Sequence, residues 1–187
     1  MIKPFLDRAL ADLTSLLAQT AQLEPQVQQL CDAMLKCWHG GGKVMFAGNG
    51  GSCTDAMHFA EELVVRFQKN RRALAAMALC DSSIVTCAAN DLGYENVFSR
   101  QIEAYGNQGD IFIAMTTSGN SANILKAIEA AREHQLLTVS FLGKDGGAAR
   151  RMCDMELLVP SPTTARVQEA HKILYHTLCE WIEARVS

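Results

Sequence analysis

The chain has 187 residues, 49% of them hydrophobic and 20% charged, with a formal net charge of −3 at pH 7. That composition suits one soluble domain with a substantial core, and the mild acidity leaves no electrostatic footprint for nucleic acid, the longest basic cluster being Lys69, Arg71 and Arg72. The opening MIKPFLDRAL lacks a long apolar signal segment and no stretch approaches the roughly 18 apolar residues of a membrane span, so a cytoplasmic protein without a membrane partner is expected.

In chain order, residues 5 to 38 carry apolar side chains at helical spacing: Phe5, Ala9, Leu13, Leu16 and Leu17, then Leu23, Val27, Leu30, Met34 and Trp38. Two helices are predicted, broken near Leu23 to Pro25. The Gly40-Gly41-Gly42 run ends the second, and Lys43 to Ala47 reads as a short apolar strand. A helix begins near Ser52. A strand over 74–79 follows, then helices over 81–89 and 95–104, a strand over 110–115, and a helix ending about His134. Strands over 137–142 and 155–159 precede a last helix over 164–185.

Short apolar strands separated by helices imply a parallel sheet covered on both faces. The expected architecture is an α/β three-layer αβα sandwich with a five-stranded parallel sheet. It forms a single domain over 1–187, with 1–39 as an N-terminal helical extension and 40–187 as the core. The last helix is apolar on more than one face (Val167, Ile173, Leu174, Leu178, Trp181, Ile182), which predicts contact with another subunit. Seven cysteines without CxxC spacing, most of them inside apolar runs, read as reduced and buried thiols; Cys53, beside a glycine turn at a helix start, is the exception.

Two turns stand out. Gly48-Asn49-Gly50-Gly51-Ser52 follows the first strand, and Thr116-Thr117-Ser118-Gly119-Asn120-Ser121 follows the third. Ligands in such sheets bind where the next helix presents free N–H groups and the positive end of its dipole. Hydroxyls at Thr116, Thr117, Ser118 and Ser121 add donors for a phosphomonoester without a lysine. A Walker A loop would need Gly-Lys-Ser/Thr, and a dinucleotide fingerprint would need glycine or alanine where Cys53 stands, so both are excluded. The plain alternative is that the glycines merely turn the chain and the hydroxyls cap helices.

On the helix after the first turn, His58 and Glu62 are four residues apart and share a face. On the last helix Gln168 and His176 lie within about 80° of each other, whereas His171 differs from His176 by about 140° and reads as a packing or interface residue. Taken alone, a His-x-x-x-Glu pair is usually structural, and glutamine is an unusual zinc ligand. Asn90 and Asp91 precede Gly93 as in an ordinary turn.

Together, GNGGS, DAMHFAEEL, NDLGYENVFSRQ, TTSGNSANILKAIEAAR, GKDGG and RVQEAHKILYH resemble the sugar isomerase (SIS) fold, which is flavodoxin-like, and within it the sedoheptulose 7-phosphate (phosphoheptose) isomerases, over about residues 40 to 185. The resemblance implies an aldose–ketose isomerase converting D-sedoheptulose 7-phosphate to D-glycero-D-manno-heptose 7-phosphate for bacterial heptose, as a homotetramer with sites between subunits. It assigns catalysis to Glu62 and His176. Substrate binding falls to Asn49, Gly50, Gly51, Ser52, Glu62, Asn90, Asp91, Thr116, Thr117, Ser118, Ser121 and Gln168. Zinc, bound in some members, would be held by His58, Glu62, Gln168 and His176. Thr116 stands where serine is usual, Arg72 where proline is frequent, and Ala165 where some members carry aspartate. The rival is a noncatalytic SIS protein that binds a replication initiator or senses a sugar phosphate, and such proteins tend to lack the Glu and His pair.

Overall fold

In the computed structural model, which describes residues 1–186, the strands are β1 (Val44–Gly48), β2 (Ala76–Ala78), β3 (Ile111–Thr116), β4 (Leu137–Gly143) and β5 (Met155–Val159). They form one parallel sheet in the order β2-β1-β3-β4-β5. The helices are α1 (Lys3–Thr20), α2 (Glu24–His39), α3 (Gly51–Val64), α4 (Ser82–Leu92), α5 (Ser99–Tyr105), α6 (Ala122–Glu133) and α7 (Thr164–Glu183).

Successive strand residues point to opposite faces, so each strand is divided between two cores. Val44 and Phe46 of β1, with Ile111, Ile113 and Met115 of β3, pack against α1, α2, α3 and α7. Met45 and Ala47, with Phe112 and Ala114, pack against α4, α5 and α6. Both faces are closed from water, which is why β1 and β3 read as unbroken apolar runs rather than alternating ones. The helices and strands thus build the three layers expected from the sequence.

Local chemistry sets the boundaries. A short 3₁₀ turn over Ala21–Leu23 separates α1 from α2, and Pro25 sits in the first turn of α2, where a missing N–H costs nothing. β2 is shorter than the 74–79 run suggests. Leu74 N donates to the Leu63 carbonyl at the end of α3, so this buried leucine lies outside the ladder, while Leu79 N, just past β2, still donates to the Phe46 carbonyl of β1 at 2.8 Å. The helix expected over 95–104 divides into a 3₁₀ turn (Tyr94–Asn96) and α5. Asn96 Nδ2 donates to the Leu92 carbonyl at 2.5 Å, ending α4 with a side-chain bond that competes with helix continuation.

Candidate active site

The strand order reverses between β1 and β3, so the turns after these strands lie side by side at the C-terminal edge of the sheet, the usual ligand position in a doubly wound fold. Two asparagines clasp them. Asn49 Nδ2 donates to Asn123 Oδ1 and Asn123 Nδ2 donates to Asn49 Oδ1, each at 2.9 Å. The Tyr94 hydroxyl donates to the same Asn49 oxygen at 2.9 Å, tying in the segment after α4.

Within the β3 turn, Thr116 Oγ1 accepts from Gly119 N at 3.1 Å and Ser118 Oγ from Asn120 N at 3.2 Å. Gly119 has φ +65°, and a Cβ there would come within 1.9 Å of the Gly146 carbonyl, so only glycine fits. The turn is thereby seated on the 145–149 loop, with Ala148 N donating to Asn120 Oδ1 and Ala149 N to the Gly119 carbonyl. Thr116 and Ser52 are nearly enclosed, while Thr117, Ser118 and Ser121 are half-buried at the rim, and the Ser121 hydroxyl makes no capping bond to α6. The rim hydroxyls are the ones a ligand can reach.

α3 and α7 bring His58, Glu62 and His176 together. His58 Nε2 lies 3.1 Å from Glu62 Oε1, and the His176 ring meets the His58 ring edge-on at 5.1 Å. One ligand-type atom from each of His58, Glu62 and His176 lies within 4.8 Å of the others. Burial, and then neighbouring His58, hold the His176 pKa below the ordinary imidazole value, so this ring is neutral at pH 7. Its Nε2 is buried without a hydrogen-bond partner among the described residues.

A polar layer sits behind this group. Asp55 is buried one turn before His58, accepts from Lys172 Nζ at 3.1 Å and lies 3.4 Å from the Tyr175 hydroxyl. That hydroxyl is 3.1 Å from His58 Nδ1, and Lys172 Nζ is 3.5 Å from the same nitrogen. Tyr175 is fully buried, with its ring stacked on Phe59 at 5.2 Å. Arg71 Nη2 donates to the Glu62 carbonyl at 2.6 Å, while Glu183 accepts from the N–H groups of Phe67, Gln68 and Lys69, fixing the segment that leaves α3.

The remaining expected residues are spread around this frame. Gln168 lies against the β1 turn, where a Cβ on Gly51 would come within 2.4 Å of its Nε2; His176 is eight residues further along α7, about 12 Å at the helical rise. Asn90 and Asp91 lie in the exposed last turn of α4 rather than in a turn, with Asn90 Nδ2 donating to Asp91 Oδ1 at 2.7 Å. Arg72 and Ala165 are exposed. His171 is fully enclosed, its Nε2 donating to the Leu142 carbonyl at 3.0 Å. All seven cysteines are free, but only Cys31, Cys37 and Cys179 are buried, and Cys87 is exposed because it lies on the outer face of α4.

Asp55, Lys172 and Tyr175 were not singled out from the sequence. Part of the signal was present: Asp55, His58 and Glu62 are spaced i, i+3, i+7, and Lys172 lies midway between Gln168 and His176 on one helical face. Tyr94 and Asn123 carried no such spacing. A cavity of about 680 Å³ lies at the other end of the sheet, lined by Lys36, Cys37, Gly42, Asp110 and Leu137, and includes none of the expected site residues. Strand N-termini are the wrong end of a parallel sheet for a ligand that uses helix N-termini.

His58, Glu62 and His176 suit a borderline divalent ion such as zinc, which takes imidazole nitrogens and carboxylate oxygens, and the unpartnered buried Nε2 of His176 is the kind of donor atom such an ion satisfies.

Fold and site define a SIS-domain protein: a family model described as SIS domain matches residues 10–143. The chain is 48% identical to the phosphoheptose isomerase of Paramagnetospirillum magneticum over 182 residues, 96% of this chain and 95% of that protein. It is 49% identical to the phosphoheptose isomerase of Fusobacterium nucleatum over 162 residues, 87% of this chain and 81% of that one. A phosphoheptose isomerase structure from Francisella tularensis matches with a TM-score of 0.95 at 35% identity, covering 99% of this chain and 100% of that chain. The chain belongs to the phosphoheptose isomerase family.

Proposed function

We propose that the protein is an aldose–ketose isomerase converting D-sedoheptulose 7-phosphate to D-glycero-D-manno-heptose 7-phosphate, the entry to bacterial heptose for lipopolysaccharide or capsule. The relatives named phosphoheptose isomerase support the reaction. The observation that carries the mechanism is the convergence of His58, Glu62 and His176 between α3 and α7, on the same helices that begin at or touch the β1 turn.

The phosphate binds at the two clasped turns, with Thr117, Ser118 and Ser121 donating alongside backbone N–H groups of Gly50 and Gly51, and with the enclosed Ser52 and Thr116 shaping the turns from within. Asn49, Asn90, Asp91 and Gln168 serve the sugar hydroxyls. Glu62 takes a proton from C1 of the ketose and returns it at C2, through an enediol intermediate. His176, neutral at the working pH, moves the compensating proton from the C1 oxygen to the C2 oxygen. His58, Glu62 and His176 are the residues that would hold zinc, which when bound would supply a Lewis acid; Gln168, expected as a fourth ligand, lies about 12 Å from His176 along α7 and against the β1 turn, out of reach of the same ion. The enzyme acts in the cytoplasm as a homotetramer.

The decisive experiment incubates the protein with sedoheptulose 7-phosphate and follows the product by NMR. The purified protein should form the aldose. Glu62→Gln, which keeps size and hydrogen bonding but cannot act as a base, should lose about 10²–10⁴-fold in kcat with substrate affinity largely retained. Near wild-type turnover by Glu62→Gln sinks the mechanism. Tight substrate binding by the unmodified protein without any isomerisation, with and without added zinc, would replace the enzyme by a sugar-phosphate sensor.

A further inference from the structure

The two ring nitrogens of His58 face different chemistry. Nε2 is 3.1 Å from a Glu62 carboxylate oxygen, which only accepts, so here Nε2 carries the proton and donates. Nδ1 therefore has the lone pair. It faces two groups: the Tyr175 hydroxyl at 3.1 Å and the Lys172 ammonium at 3.5 Å. The ammonium has three donors and no acceptor, whereas the hydroxyl can do either. Asp55, 3.4 Å from that hydroxyl and 3.1 Å from Lys172 Nζ, is a second acceptor within reach of the tyrosine proton.

For His58 to offer Nε2 to a cation, the ring must move its proton to Nδ1, and something at Nδ1 must then accept. Lys172 cannot. We propose that Tyr175 is a positioning residue that lets His58 hold either tautomer: its hydroxyl donates to Nδ1 while Nε2–H is bonded to Glu62, and turns its proton to Asp55, accepting from Nδ1–H, when Nε2 becomes a ligand. The proposal rests on the zinc reading above. One proton leaves Nε2 for water and Nδ1 takes one from water through the half-open side of His58, so the exchange involves no net change of charge. The stack of Tyr175 on Phe59 and its complete burial hold the ring still, leaving rotation of the O–H bond as the only motion required. Burial pushes the Tyr175 pKa up to about 12, so the hydroxyl keeps its proton in both arrangements.

This assigns opposite effects to two neighbours of one nitrogen. Without the hydroxyl, Lys172 alone faces Nδ1 and fixes the proton on Nε2, against ligation. Tyr175→Phe, which keeps the ring and its packing, should therefore weaken zinc binding 10–100-fold, measured by competition with a chromophoric chelator. Adding Lys172→Gln supplies an amide oxygen that accepts from Nδ1–H, and the double variant should recover at least half of the loss on a logarithmic scale. A purely structural tyrosine would give no such rescue. Nitrogen-15 NMR of histidine-labelled wild-type protein tests the same claim without any variant: His58 should be protonated on Nε2 in metal-free protein and on Nδ1 with zinc added. The same tautomer in both samples, or equal zinc affinity of wild type and Tyr175→Phe, overturns the tyrosine's role while leaving the zinc reading standing. No zinc uptake by wild-type protein overturns both.

Discussion

His171 shows what a buried titratable side chain does when it is not part of the chemistry. Enclosure pushes its pKa down to about 4, with burial the main cause and its bond to the Leu142 carbonyl opposing. The ordinary value in an unfolded chain is about 6.5, so between these values the unfolded state binds the extra proton and stability falls as pH drops. Above about pH 6.5 both states are neutral and nothing is lost; by pH 5 the loss from this one residue is about 2 kcal/mol. Urea unfolding at pH 7.5 and pH 5 should show that difference, and His171→Gln, whose amide N–H can still reach the Leu142 carbonyl, should flatten it. Equal pH slopes in both proteins would show that other groups dominate. At this scale the sequence disclosed His58 with Glu62 by helical spacing, and His171 was separable from His176 by angle alone. It did not disclose Asp55, Lys172 or Tyr175 as partners of His58, because their meaning depends on where α7 crosses α3, and no local pattern encodes a crossing.

Among elements, the two turns form one unit. Asn123 is buried, and its amide is matched atom for atom by that of Asn49, so the clasp is complete before any ligand arrives. Asn123→Ala removes both bonds and leaves Asn49 Nδ2 without its acceptor, while Asn49 Oδ1 keeps the Tyr94 hydroxyl, at a cost of about 1–3 kcal/mol in stability. The larger effect should be on KM for the sugar phosphate, at least about tenfold, with kcat less affected, if the turns hold the phosphate and not the reacting carbons as proposed. A variant with unchanged KM would show that each turn binds independently. The turns themselves were legible in the sequence from glycine and hydroxyl content at strand ends. β2 and α5 were not legible at their true lengths: Leu74 is apolar because it is buried, not because it pairs, and Asn96 interrupts a helical pattern through a side-chain bond that periodicity does not register.

At the level of the whole molecule, apolar side chains remain on the surface in a distribution that single-chain packing does not use. Phe5, Leu6 and Leu10 of α1 are 60%, 54% and 56% exposed, and Met57 of α3 and Ile173 of α7 are also open. Scattered exposed leucines are ordinary, but a run of three along one helix is a surface suited to another copy. Light scattering at micromolar concentration should give the mass of an oligomer, a tetramer in the closed dihedral arrangement; a stable monomer defeats this. The geometry of α7 has one more consequence. Gln168 touches the glycine turn and His176 stands about 12 Å further along the same rigid rod, so with the substrate placed as proposed the helix would act as a ruler for its length. A sugar phosphate anchored at the turn presents its carbonyl to Glu62 and His176 only if its carbon chain covers that interval. A five-carbon ketose 5-phosphate should therefore compete for the phosphate turns as an inhibitor while being isomerised far more slowly than the seven-carbon substrate, and equal turnover of the two would show that selectivity resides elsewhere than in chain length.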